Sequence, residues 1–94
     1  MTPAQRHKDR VAALGCCVCR RLGTPDTPAE IHHVAEGSSK RSDFAVAPLC
    51  REHHQGASGL HGLKPPRFCR LYRVPWEREE GLLVWVNEDL ARFG

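Results

Sequence analysis

Along the chain, apolar residues come in short runs separated by polar or turn-forming stretches. The first stretch opens Thr2-Pro3-Ala4-Gln5. Threonine is a good helix N-cap, proline suits the first helical position, and glutamine stands where a capping box would place it. A helix is predicted over residues 3–14, with Gly15 as its stop because glycine tolerates a left-handed C-cap. It reads as a packing arm with Arg6, Lys8 and Arg10 solvated, the alternative being a phosphate-contacting role. The turn formers Gly23-Thr24-Pro25-Asp26-Thr27-Pro28 make a loop. Short strands are predicted over residues 29–34 and 44–49, the second with Pro48 near its end, where a missing donor is tolerable. Between them the polar residues 36–43 make a surface loop, a usual place for substrate contacts.

Downstream, residues 50–56 read as the first turns of a helix running into a glycine-rich loop through Gly62. Past Pro65-Pro66 a short helix is expected to carry Arg67, Phe68, Leu71 and Tyr72. A final helix should begin near Pro75, since Leu82, Val86, Leu90 and Phe93 recur at helical spacing. Gly81 weakens that pattern only locally. Helix, β-hairpin and helices make one α+β domain spanning residues 1–94.

Ninety-four residues bury a limited core, so a staple beyond apolar packing is expected. The chain has five cysteines and six histidines. An odd cysteine count and a polar N-terminal stretch without an apolar leader argue against a secreted disulfide scaffold and for metal-bound thiols in the cytoplasm. The longest apolar runs, such as residues 82–86, fall far short of the roughly eighteen that a membrane span needs. A net charge of +3 is compatible with a polyanionic partner without marking a strongly basic tail.

Two ligand pairs carry the strongest chemical signal: Cys16-x-x-Cys19 and Cys50-x-x-His53. A C-x-x-C turn converges two thiolates on a tetrahedral zinc, and residues three apart at a helix start project to the same side and complete a Cys₃His site. The metal would tie the segment before the first strand to the helix after the second, adding folding energy. A slipped choice of Cys17 is conceivable, but the two-residue gap favours Cys16. Cys69 has no partner at ligand spacing and reads as a small core residue. The bland alternative is a set of buried thiols with a stray histidine.

The second signal is Ile31-His32-His33-Val34 together with His54. Adjacent strand residues point to opposite faces, so both histidines serve one site only if the strand bends or ends there. His54 follows the zinc ligand His53 directly, so the structural zinc would fix its position relative to the strand.

The order C-x-x-C, a histidine doublet before a loop, Pro48-Leu49-Cys50 and then Cys50-x-x-His53-His54 resembles the zinc-containing HNH (ββα-metal) endonucleases, over about residues 16–61. With His53-His54-Gln55 and Gly59-Leu60-His61, the chain most resembles short phage and prophage recombination-enhancing nucleases of the Ref type. The resemblance implies a zinc-stapled ββα-metal core with an N-terminal helix and C-terminal helices. It also implies metal-dependent hydrolysis of DNA phosphodiester bonds to 5′-phosphate and 3′-hydroxyl ends. In that reading His33 is the general base, and His32 and His54 hold a catalytic divalent cation. Cys16, Cys19, Cys50 and His53 hold the structural Zn2+. His61 would be a further ligand or a phosphate contact, or else an ordinary exposed histidine. One departure stands out: the family's asparagine should fall near Ala45 or Val46, yet no asparagine precedes Asn87. A backbone carbonyl would then have to orient His33, or catalysis would be weak.

Imidazole ligands suit zinc, manganese or nickel, whereas magnesium prefers oxygen and would lean on phosphate and water. DNA contacts are expected from Lys40 and Arg41 in the inter-strand loop, and from Arg67, Arg70 and Arg73, spaced by threes on the short helix. No base-reading helix is evident, so sequence preference should be weak. The Ref-type resemblance adds a recombinase filament as a partner and the bacterial host cytoplasm as the setting. The alternatives are a zinc-stapled nucleic-acid-binding module without catalysis, and a protein-interaction adaptor docking through Trp76, Trp85 and Phe93.

Overall fold

A computed structural model of the chain describes residues 1–34 and 42–94. Lys40 and Arg41 lie outside the described residues. Helix α1 spans Pro3–Ala13. The Thr2 hydroxyl accepts from the Gln5 backbone N–H at 3.1 Å. Only half of the capping box forms, because the Gln5 amide donates to Asp9 at 2.9 Å rather than returning to the cap. Gly15 has φ +79°, and an added Cβ there would lie 3.0 Å from the Thr27 carbonyl oxygen. That same oxygen accepts from the Cys16 N–H at 2.9 Å. Glycine therefore lets α1 turn directly into the short helix α2, Cys17–Arg21.

The two strands, β1 Glu30–His33 and β2 Val46–Leu49, pair antiparallel with Glu30 opposite Leu49 and His33 opposite Val46. Both are shorter than the apolar runs predict. Phe44, expected in the second strand, is exposed and its ring packs against His7 at 5.5 Å between centroids. β2 is buried along its whole length, whereas β1 buries chiefly His32. The sheet thus pairs a fully buried strand with a half-buried one that carries His32 and His33.

Helix α3, Arg51–Gln55, begins at Cys50, whose sulfur accepts from the His53 N–H at 3.5 Å. The segment expected to be a glycine-rich loop closes into another helical turn, α4, Leu60–Leu63. Its Leu60 is buried and its Leu63 N–H donates to Gly59. Helix α5, Pro65–Leu71, follows as predicted. The final helix does not start near Pro75. Two 3₁₀ turns, Pro75–Glu77 and Glu79–Gly81, come first, and α6 covers Leu82–Phe93. Trp76 and Glu77 have φ of +62° and +52°, a left-handed step that no α-helix accommodates.

The core gathers Val11, Val18, Leu49, Phe68, Leu82 and Trp85 from five of these elements, and all five cysteines lie in it, none of them in a disulfide. Cys69 is fully buried, as expected of a core residue. On α6 the buried stripe is Leu82, Trp85, Val86 and Asp89, with Phe93 exposed, a rotation from the predicted 82/86/90/93 face. Among the described residues, no helix is long and apolar enough to cross a membrane.

Candidate functional site

The first cluster is Cys16, Cys19, Cys50 and His53. Cys16 caps α2 and Cys50 caps α3, each sulfur accepting an N–H from the residue three positions on. Two helix starts are thereby aimed at one point. The donor atoms lie 3.2 Å (Cys50 Sγ to His53 Nδ1), 3.4 Å (Cys19 Sγ to His53 Nδ1), 3.6 Å (Cys16 Sγ to His53 Nδ1) and 3.7 Å (Cys19 Sγ to Cys50 Sγ) apart. Tetrahedral zinc with ordinary Zn–S and Zn–N bonds has edges of roughly 3.8 Å between sulfurs and roughly 3.6 Å between sulfur and nitrogen. The donor set fits zinc in type and spacing, and Cys17 does not belong to it. Burial pushes the Cys16 thiol up to about 12 and Cys17 higher still. Burial also acts to raise Cys19, but hydrogen bonds from Thr27, Cys16 and Cys50 outweigh it and leave that thiol below its ordinary value. Desolvation holds His53 below the usual imidazole value.

The second cluster is His32, His54 and His61, whose ligand atoms all lie within 4.8 Å of one another. β1 supplies His32, α3 supplies His54 and α4 supplies His61. Ring centroids are 5.1 Å apart for His32 and His54, 5.6 Å for His32 and His61, and 4.9 Å for His54 and His61. Carboxylates hold two of the rings. His54 donates from Nδ1 to Glu30 Oε1 at 2.8 Å, and His32 donates from Nε2 to Glu79 Oε2 at 2.8 Å. These bonds leave a lone pair on Nε2 of His54 and Nδ1 of His32, the pattern by which outer carboxylates orient metal-binding imidazoles. The His54 bond in turn holds the Glu30 carboxyl below the usual carboxylate range. His61 is exposed; desolvation, with the neighbouring His54 and His32, lowers its value.

His33 leaves β1 in the alternate direction from its neighbour, as strand geometry requires. It bonds from Nε2 to Asp43 Oδ1 at 2.8 Å, and Lys8 of α1 lies 3.6 Å from the same oxygen. The Asp43 carboxyl is held below the usual range, first by the His33 hydrogen bond and then by Lys8. The position near which the resemblance puts an asparagine is apolar, and Asp43 stands just before it.

The sequence profile of a family described as recombination enhancement, RecA-dependent nuclease matches residues 2–92. The chain belongs to that family. No curated protein and no solved structure matches it. The matched span of this RecA-dependent nuclease family takes in both clusters, the His33–Asp43 pair and the C-terminal segment that supplies Glu79.

In this family member Arg67 and Arg70 are exposed on α5 and Arg73 is exposed just beyond it, and among the described residues none of the three makes an ion pair. Trp85 is a core residue, whereas Trp76 is exposed. Three residues near the clusters were missed from sequence alone. Glu30 lies two before His32, so the strand period marked it. Asp43 was passed over within a polar loop. Glu79 had no local signal, because it meets His32 only through the fold.

Proposed function

We propose that the protein is a metal-dependent HNH endonuclease that hydrolyses DNA phosphodiester bonds on a zinc-stapled ββα-metal core, running from β1 through β2 to α3. The observation that carries this reading is the three-histidine cluster with two rings oriented by carboxylates; His33, next to His32 in β1 but leaving the strand in the other direction, is held by Asp43. A divalent cation held by His32, His54 and His61 would neutralise phosphate charge and the charge developing on the leaving 3′-oxygen. Manganese, nickel, zinc and magnesium, the last with help from phosphate and water, are the candidates.

The residues divide the work as follows. Asp43, accepting from Nε2, selects the His33 tautomer with its lone pair on Nδ1. That nitrogen takes a proton from water as the water oxygen bonds to phosphorus. The bond from phosphorus to the 3′-oxygen breaks, and the departing oxygen takes a proton from solvent, giving 5′-phosphate and 3′-hydroxyl ends. Cys16, Cys19, Cys50 and His53 hold a structural zinc that fixes the start of α3, and with it His54. Arg67, Arg70 and Arg73, with Lys40 and Arg41 of the inter-strand loop, contact phosphates without reading sequence. The family description supports action with a RecA-type recombinase filament; the cytoplasm of a bacterium that hosts the phage or prophage is the setting the sequence resemblance implies.

The test is nicking of supercoiled plasmid at low salt, with each of the four metals added in turn. Wild type is expected to nick, and His33→Ala to lose about 10²–10⁴-fold in rate while keeping its zinc content and circular dichroism. Equal cutting by both proteins, or none by either under any metal, overturns the reading.

A further inference from the structure

Trp76 is the most exposed aromatic side chain of the described residues, at 70 % of its possible surface. Its position is built rather than incidental. Arg73, Trp76 and Glu77 all adopt positive φ without being glycine, a conformation that costs about 1–3 kcal/mol per residue and persists only where the surroundings impose it. The constraints are visible. Val74 is buried, and the Glu77 N–H donates to the Val74 carbonyl at 2.8 Å. Gly81 packs so closely on Pro75 that an added Cβ would collide with the Pro75 carbonyl. The turn therefore projects the indole into solvent. Three residues further on, Glu79 bonds His32, so the two Cα atoms are at most about 11 Å apart along the chain.

The surroundings select the occupant by charge. From Lys64 to Arg78 there are five cations, Lys64, Arg67, Arg70, Arg73 and Arg78, against one carboxylate, Glu77. That excess is larger than the +3 of the whole chain. Arg78 pairs with Glu80 at 2.7 Å, whereas Arg67, Arg70 and Arg73 make no ion pair among the described residues; a flat aromatic surface near such guanidinium groups suits a polyanion with exposed π-faces. Bases inside a duplex have their faces covered by neighbours, and unpaired bases do not.

We infer that Trp76 is a stacking platform for an unpaired nucleobase, with Arg70 and Arg73 on the adjoining phosphates, beside the three-histidine cluster. This rests on the nuclease reading only for the chemistry that follows binding, and it is tested without cleavage. The probe is a fluorescein-labelled oligo-dT and a duplex of equal length, titrated into the full chain in the absence of added divalent metal. Oligo-dT is expected to quench wild-type tryptophan emission, and the quench to vanish in Trp76→Ala. That variant should bind oligo-dT about thirtyfold more weakly, near the middle of the range for losing one base–aromatic stack, while duplex affinity changes little. Trp76→Phe should restore most of the loss.

Undiminished oligo-dT binding by Trp76→Ala overturns the inference. So does an emission change that occurs only on adding a recombinase protein, or only as the chain's own concentration rises; those results would assign the indole to a protein partner or to a second copy. Plasmid nicking without any Trp76 response would leave the nuclease standing and remove the platform. Stacking without nicking would do the reverse.

Discussion

Asp43 lies two residues before Ala45, the first of the two positions where the HNH resemblance calls for an asparagine, and its carboxylate reaches the His33 ring from outside the strand. A base needs its far nitrogen held so that the near one faces water, and any acceptor in the right place does this. If His33 is the general base as proposed, Asp43→Ala is expected to lower kcat for plasmid nicking between about tenfold and about a hundredfold with little change in KM, because the base would be mispositioned while substrate contacts survive. Asp43→Asn should retain more activity than Asp43→Ala, since an amide oxygen still accepts from Nε2. Equal losses in the two variants would mean that Asp43 acts through its charge on Lys8 rather than by orienting the imidazole.

Helix α6 shows how an element's orientation is decided by a contact remote in sequence. Its predicted stripe ended on Phe93, but that ring lies exposed beneath the Arg20 guanidinium, 4.3 Å from its centroid. The buried place goes to Asp89, which Arg21 of α2 grips with two hydrogen bonds of 2.8 and 3.0 Å while its guanidinium also covers Trp85 at 4.6 Å. Removing one partner of a buried ion pair leaves the other without compensation. Because Arg21 is partly exposed and can regain water, Asp89→Ala is expected to cost about 2 kcal/mol rather than the several typical of a fully buried pair. Urea denaturation of the zinc-loaded protein measures it. A change below about 0.5 kcal/mol would make the pair a surface contact. Periodicity alone exposed the amphipathic character of α6 but not its rotation, because an aspartate scores as polar until its arginine is found.

At the scale of the molecule, the Cys₃His cluster joins the starts of α2 and α3 across the hairpin, and three of its ligands belong to the core itself. Among the described residues, the largest fully buried side chains are mostly aliphatic, with Phe68 the single aromatic among them. A core of this size leaves little margin without a cross-link. Without a bound metal, three thiols and an imidazole would face one another inside it. Zinc removal by chelator is expected to abolish cooperative thermal unfolding, with metal content and calorimetry followed together, and readdition of zinc should restore the transition. A metal-free chain that still melts cooperatively near the same temperature would show that apolar packing suffices.

Local chemistry determined much of this protein from the sequence alone. Both halves of the Cys₃His cluster, the capped start of α1, the antiparallel strands and the histidines at 32, 33, 54 and 61 were legible, because spacing along a turn or strand fixes where neighbouring side chains point. Proline and glycine punctuation placed the start and end of α1 and the start of α5, but not α4 or the start of α6. Tertiary structure decided what spacing cannot encode. The Glu79–His32 bond joins residues 47 apart, and the Arg21–Asp89 pair joins residues 68 apart. The left-handed turn at Trp76 requires the contact between Gly81 and Pro75 that holds it. Each depends on bringing together segments with no periodic relation, and only the folded packing of those segments supplies the geometry.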